Sequence, residues 1–395
     1  MRNLNPLLGQ TIAPPVMEAR RWLEGVTFSA ERPLMNLSQA APVDPPPEGL
    51  RRAMAEALLE RDESHLYGPV LGLDALRAEL AAKWSADYGA AVDAGQVAIT
   101  AGCNQAFCAV MATLAQAGDA VILPTPWYFN HKMWLDMTGI ETQVLATGED
   151  LIPDPEAAEA LIHARTRAIV LITPNNPGGV EYPAPVMAAF RDLARRRGIA
   201  LIVDETYRDF HSVIGPPHDL LSDPDWDETV ITLYSFSKSF RLTGHRVGAI
   251  IASEARLREA EKFLDCVAIC PAQVGQIGAL WGVRNLTEWL AGERLEILDR
   301  RAAMEAAFQR LPDWHLQGCG AYFAYVRHPF AQASDAVARR LVREAGVLAL
   351  PGTMFGPARE AGGSGQAETT LRLAFANADA AGLGQLAARL SDLTS

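Results

Sequence analysis

From Gln96 onward, short apolar runs alternate with longer stretches of helical periodicity. The runs are VAIT (Val97 to Thr100), AVILP (Ala120 to Pro124), AIVLIT (Ala168 to Thr173), ALIVDE (Ala200 to Glu205), VITLYS (Val230 to Ser235) and GAIIAS (Gly248 to Ser253). Each is apolar nearly throughout rather than alternating, so the predicted strands are buried on both faces. Helical patterns such as Asn104 to Gln116 and Val186 to Arg197 lie between them. Strand and helix in alternation predict an α/β unit with a mostly parallel sheet covered by helices. Ligands of such sheets collect at the carboxyl ends of the strands.

The flanking regions differ in texture. Residues 1 to about 47 read as irregular and proline-rich; Pro45, Pro46 and Pro47 fit neither a helix interior nor a central strand. A helix is predicted over Gly49 to Arg61. After about Leu280 a long helical stretch, Leu286 to Leu311, precedes GAYFAYV (Gly320 to Val326), a helix near Ala333 to Ala345, VLALP (Val347 to Pro351), LRLAFA (Leu371 to Ala376) and a last helix near Leu383 to Leu390. This reads as a smaller α+β domain built from both termini, 1–47 and 284–395, beside a large domain at 48–283.

At 395 residues with 49% hydrophobic and 21% charged residues, the chain has the composition of a globular protein, not a disordered one. Lys plus Arg total 35 against 47 Asp plus Glu, a formal charge of −12, which repels duplex nucleic acid and anionic membrane. No apolar run reaches the roughly 18 residues of a membrane span, and the opening MRNLNPLLGQTIAPP lacks the apolar stretch of an export signal. The five cysteines, an odd number, do not suggest a disulfide scaffold; Cys266 and Cys270, with no histidine near, suggest buried thiols rather than a metal site. No metal is expected, and the compartment is read as cytoplasmic.

Chemistry gathers just after the predicted strands. Lys238 in SFSKSFRLTGHRVG follows one; drawn into a pocket, its amine loses charge and becomes a nucleophile. Ser235, Ser237 and Arg246 offer hydroxyls and a fixed cation suited to a phosphate dianion. In VDETY, Asp204 suits a protonated ring nitrogen and Tyr207 a ring oxygen. TPNNPGG holds Asn176 on a rigid turn, TAGCNQA sets Gly102 at a helix start where backbone N–H groups meet anions, and PTPWYFN places Trp127 and Tyr128 beside the crevice. Singly, each has a plain alternative: a solvated lysine, an N-cap aspartate, a turn, a core aromatic. In this order on one set of strand ends, they meet the needs of pyridoxal phosphate.

Those motifs resemble the class I/II aminotransferases, the fold type I group of pyridoxal-phosphate enzymes, from NLSQAAPVDPPP near residue 36 to LRLAFAN near residue 377. The resemblance implies a seven-stranded large-domain sheet and a ping-pong transfer of an amino group between an L-amino acid and a 2-keto acid. Lys238 would form the Schiff base and shuttle the proton. Asp204 would pair with the pyridine nitrogen, Tyr207 and Asn176 with the ring oxygen, and Tyr128 would stack on the ring. Ala101, Gly102 and Cys103 would form the phosphate loop, completed by Ser235, Ser237 and Arg246. Arg372 would grip the substrate carboxylate, with Asn176 and Ala40 on the substrate side, and Tyr67 would reach the neighbouring subunit's phosphate in a homodimer.

Three positions depart from the family pattern: Ala40 stands where glycine is usual, Cys103 where a hydroxyl is common, and Arg241, three after the lysine, where a small residue is usual. The same constellation would serve a carbon–sulfur β-lyase. A non-enzymatic effector-binding module is a further alternative, though the motifs begin too early for a winged helix before them. A dinucleotide-dependent oxidoreductase is disfavoured by the absence of GxGxxG after the first strand. The donor is expected to be neutral or aromatic rather than aspartate; Trp22, Trp127 and Trp134 would suit such a pocket if they face it, and otherwise pack in the core.

Overall fold

The computed structural model describes residues 4–393. Seven strands make the main sheet: β1 (Val97–Thr100), β2 (Ala120–Pro124), β3 (Glu141–Leu145), β4 (Thr166–Ile172), β5 (Ala200–Asp204), β6 (Val230–Ser235) and β7 (Gly248–Ile251). Their order is β1-β7-β6-β5-β4-β2-β3. All pairings are parallel except those of β7, which runs against both β1 and β6. The mostly parallel, helix-covered α/β sheet expected from the sequence is present. Its seventh member, β3, was not among the apolar runs, because this edge strand buries only Gln143 and Leu145 and its sequence, ETQVL, is half polar.

Strand residues alternate between two apolar layers. On one face Ile99, Leu171, Leu201 and Val203 share an apolar core with Leu50 and Met54 of α1 (Glu48–Glu60), Leu76, Leu80 and Trp84 of α2 (Asp74–Tyr88), and Met187, Phe190 and Leu193. On the other, Ala98, Val121, Val170, Ile202 and Ile250 meet Phe107, Val110 and Met111 of α3 (Cys103–Leu114). Leu135 of α4 (Phe129–Thr138) joins that second layer. α5 (Ala184–Arg197) covers the first face, and α6 (Glu254–Ala268) adds Leu257, Ala260 and Leu264 to the second. Each fully buried side chain of this size contributes roughly 1.5–3 kcal/mol, so the strands are fixed from both sides.

α7 (Gln273–Asn285) leads into α8 (Thr287–Phe308), which spans the molecule: Leu290 joins the sheet core, Ile297 a cluster with Tyr207 and Tyr322, and Met304 the core of the C-terminal part. The sequence reading had not marked α2, α4, α6 or α7. The expected GAYFAYV strand lies in a hairpin, β8 (His315–Gly320) and β9 (Phe323–Arg327), turned at Ala321 with φ 45°. VLALP divides: Val347–Leu348 pairs in parallel with Met35–Asn36, and β10 (Leu350–Pro351) joins β11 (Thr370–Ala374) in a four-stranded sheet of order β10-β11-β9-β8. The helix predicted near 333–345 begins as Ser334–Arg340 and finishes as a π turn, Leu341–Ala345; the last helix is α9 (Ala380–Ser391). The N-terminal region is less irregular than expected, with short helices Pro6–Gln10 and Pro15–Arg21, each opened by a proline at its first position. Among the described residues, no helix is long and apolar enough to cross a membrane.

Candidate active site

The parallel strands end together, and their ends carry the chemistry. Ile172 of β4 pairs with Asp204 of β5, and Asp204 with Leu233 of β6. Ser235, the last residue of β6, pairs with Gly248, the first of β7, and Gly248 with Thr100 of β1. Because β7 is reversed, Arg246 just before it lands on the same edge as Ser237 and Lys238 just after β6. A cavity of about 350 Å³ opens there, lined by Cys103, Asn104, Tyr128, Asn176, Asp204, Thr206, Tyr207, Ser235, Ser237, Lys238, Arg246 and Arg372. Its outer rim is Pro14 to Met17, Gln39, Ala40, Phe129 and Asn130.

Ser235 caps the one-turn helix that bears the lysine, its hydroxyl accepting from the Ser237 N–H at 3.3 Å. Lys238 Nζ donates to the Ala40 carbonyl at 2.6 Å. The amine retains some contact with the open cavity yet sits deep in protein; that burial, aided by Arg246 and Arg372, lowers its pKa from 10.5 to about 7. A substantial fraction is therefore neutral near neutral pH, which a surface lysine is not.

Asp204 is buried and faces the cavity. Its Oδ1 accepts the Thr206 N–H at 3.0 Å and lies 3.7 Å from Cys103 Sγ; its Oδ2 is 3.4 Å from His131 Nε2, close enough for charge attraction though outside hydrogen-bond geometry. Burial pushes this carboxyl up, but His131 and Thr206 outweigh it and hold the pKa below the ordinary carboxylate value. His131 lies flat on Phe107, centroids 3.9 Å apart, with Tyr128 edge-on at 5.1 Å. The sequence reading missed His131; its place one turn after Tyr128, at the i+3 spacing of a shared helix face, was the available signal.

Tyr128 lines the cavity and its hydroxyl donates to Asn104 Oδ1 at 3.3 Å. Tyr207, pushed well above the usual phenol range by burial, packs edge-on against Tyr322 and Phe323. Arg372 projects from the centre of β11, opposite Tyr325 and Leu350. Its Nη1 donates to Asn176 Oδ1 at 3.0 Å and its Nη2 to the Ser38 carbonyl, while Phe323 and Phe355 rings lie 5.1 and 4.9 Å from its guanidinium carbon. Its buried Nε has no partner, and burial lowers its pKa to about 10.

The loop after β1 is arranged for an anion. The Ala101 N–H is held by Gln105 Oε1 at 2.6 Å and the Gly102 N–H by the Thr100 carbonyl at 2.8 Å, so the donors left at the start of α3 are the first-turn N–H groups of Cys103 and Asn104. Gly102, at φ +87°, lets Arg246 close over the loop: a Cβ there would sit 2.2 Å from Nη2. Arg246 Nη1 also donates to Ser237 Oγ at 3.3 Å. Neither Ala101 nor Gly102 lines the cavity, and neither does Tyr67, which is 79% exposed on the outer surface. Trp22, Trp127 and Trp134 are also absent from its lining; they pack in or against the apolar cores.

These residues fit pyridoxal phosphate group by group. Arg246, the hydroxyls and the α3 N–H groups match a dianion, Asp204 a ring cation, and a partly neutral amine an aldehyde; Arg372 with its orphaned Nε is left for a carboxylate. Fold and site together define a fold type I pyridoxal-phosphate enzyme. The family model for aminotransferase class I and II matches residues 32–390, and the chain belongs to that family. It is a pyridoxal-phosphate-dependent transaminase. An aromatic aminotransferase of Arabidopsis thaliana is 30% identical over 301 residues, covering 73% of this chain and 74% of that protein. A probable aspartate/prephenate aminotransferase of Thermus aquaticus is 27% identical over 362 residues, 90% of this chain and 91% of that one. The aspartate aminotransferase of Thermus thermophilus, solved with maleate, superposes with a TM-score of 0.88 at 24% identity, covering 99% of each chain.

Proposed function

We propose that Lys238 carries the reaction: it holds the cofactor aldehyde in the resting enzyme and, once released by an incoming amino acid, moves the proton from the substrate Cα. When bound, pyridoxal phosphate supplies an electron sink that stabilises negative charge at that carbon. Every other requirement falls to the chain. Asp204 keeps a proton on the ring nitrogen, because a buried carboxylate favours the adjacent cation. Tyr207 and the free amide of Asn176 serve the ring oxygen. Arg246, Ser235, Ser237 and the Cys103 and Asn104 N–H groups hold the phosphate, and Tyr128 covers the ring face. Arg372, pinned by Asn176 and Ser38 and caged by phenyl rings, presents a fixed guanidinium to the substrate carboxylate, which fixes the Cα–H direction. The observation that carries this assignment is the desolvated amine of Lys238 facing Asp204, Arg246 and Arg372 in one cavity.

The domain division at 48–283 and 1–47 with 284–395 is supported by two apolar clusters, one drawn from residues 50–279 with Leu286 and Leu290 of α8, the other from Leu37 and residues 304–390. We further propose a homodimer in which Tyr67 serves the partner's site: Leu59, Leu66 and Tyr67 stand 85%, 66% and 79% exposed near one another in sequence. A cytoplasmic location agrees with five unpaired cysteines. The test is direct. Borohydride reduction and peptide mass mapping should place a pyridoxyl group on Lys238, and Lys238→Ala should abolish both the adduct and turnover; an adduct elsewhere, or an active variant, sinks the assignment. Single-turnover assays distinguish transamination, which stops after one amino group is delivered without a keto acid, from β-elimination, which continues and releases ammonia.

A further inference from the structure

Arg241 is one of the three residues that depart from the family pattern, and its surroundings are unlike those of a surface arginine. Its backbone sits at φ 56°, a left-handed conformation unfavourable for any side chain but glycine. Its guanidinium meets Glu293 of α8 through both oxygens, Nη2 to Oε1 at 2.9 Å, Nη2 to Oε2 at 2.7 Å and Nε to Oε2 at 3.1 Å. Nη1 lies 3.5 Å from Asp44, and the group stands 5.4 Å from the Trp289 ring centroid. Three separate stretches are therefore joined at one side chain: the turn bearing Lys238, helix α8, and the strap that runs from Ala40 through Asp44 to α1.

The joined stretches bracket the lysine. Lys238 precedes Arg241 by three residues, and the carbonyl that holds its amine belongs to Ala40, four residues before Asp44. One turn past Glu293, Ile297 packs in a cluster with Ala40, Tyr207 and Tyr322. We propose that Arg241, through its fork on Glu293 and its contact with Asp44, is a positioning residue that holds the lysine turn and the Ala40 strap at a fixed separation, and so sets where Lys238 Nζ stands relative to the cofactor and substrate. The bidentate pair carries most of this, since the Asp44 carboxylate is largely exposed and screened. The inference rests on the role of Lys238 given above.

The test uses holoenzyme of Arg241→Gly, which also relieves the left-handed backbone, of Glu293→Gln, which leaves it, and of the exchanged pair Arg241→Glu with Glu293→Arg. For each, kcat, KM and the pH midpoint of the bound cofactor's visible absorbance are measured after borohydride mapping. Both single variants should lose about tenfold in kcat with a smaller change in KM, as loosened positioning predicts. Both should shift the midpoint upward, by about half a pH unit, as water reaches the lysine. Charge acting through space would instead move the midpoint oppositely in the two, because one variant removes a cation and the other an anion. The exchanged pair should recover to within about threefold of the parent. Midpoints that move in opposite directions, or kcat within twofold of the parent while only thermal stability falls, overturn the positioning role. A parent whose adduct does not map to Lys238 overturns the assignment of the lysine itself. Should Arg241→Gly not fold, Glu293→Gln alone decides the matter by the same two readouts.

Discussion

At the residue scale, the cavity is a local inversion of the molecule's charge. A chain of net charge −12 gathers Lys238, Arg246 and Arg372 around a single carboxylate, Asp204. In the proposed assignment two guanidiniums answer two anions, the cofactor phosphate and the substrate carboxylate; the amine beside them is kept partly neutral by burial and by their repulsion. The pH consequence has a definite sign. The folded amine titrates near 7 against 10.5 when solvated, so apoenzyme holds fewer protons than unfolded chain between those values, and its stability rises with pH across that window. Capture of pyridoxal phosphate by apoenzyme should likewise accelerate as pH rises through about 7, measured by stopped-flow absorbance; a rate that climbs only above pH 9 would mean a solvated lysine. Arg372→Ala should raise KM and lower kcat/KM by roughly 10²-fold, because a bidentate charged contact and the direction it imposes are lost together. A loss confined to stability, with steady-state constants unchanged, would remove Arg372 from the substrate site.

At the scale of elements, reversal of one strand assembles the site. With β7 antiparallel, Gly248 comes level with Ser235 and Thr100, and three strand ends converge on one anion-binding cradle. The close approach needs a glycine: a Cβ at Gly248 would lie 2.6 Å from the Cys103 nitrogen and 2.6 Å from the Gly102 carbonyl carbon, both backbone atoms that cannot swing aside. Gly248→Ala should therefore cost about 1–3 kcal/mol of stability by overpacking. The displaced start of α3 should also weaken cofactor retention, read as a raised dissociation constant in equilibrium dialysis; unchanged retention would show that α3 does not hold the phosphate. The strands were legible in the sequence because burial on both faces makes them apolar runs, and β6 emerges with the predicted limits. β3 was not, since an edge strand has one solvated side and carries little apolar signal. GAYFAYV covers β9 as far as Val326 but only the last residue of β8, which was not marked because its sequence, HLQGCG, has two glycines and a single large apolar residue.

At the scale of the molecule, the site lies between parts that are distant in sequence. Arg372 is donated by the C-terminal sheet to Asn176 of the large one, and Ser38 and Ala40 of the N-terminal strap supply the carbonyls that hold Arg372 and Lys238. α8 ties these parts together by joining three apolar clusters along its length. For the proposed homodimer, mixing Tyr67→Ala chains with Lys238→Ala chains should restore activity that neither has alone, since one hybrid site would combine an intact lysine with an intact tyrosine. No gain on mixing would place Tyr67 outside the site.

The sequence by itself determined six of the sheet's seven strands, the order of motifs on their ends and the chemical types at Lys238, Asp204, Tyr207 and Arg246, because these depend on local apolar patterning and on residue identity. Only the tertiary structure decided that His131 backs Asp204, that the open N–H groups after β1 belong to Cys103 and Asn104 rather than Ala101, and that Arg241 grips Glu293. The first and last of these contacts join residues 73 and 52 apart in the chain, where packing and not sequence spacing brings the groups within range; the Ala101 N–H is taken by Gln105 four residues on, a local bond that depends on the side-chain conformation the fold selects.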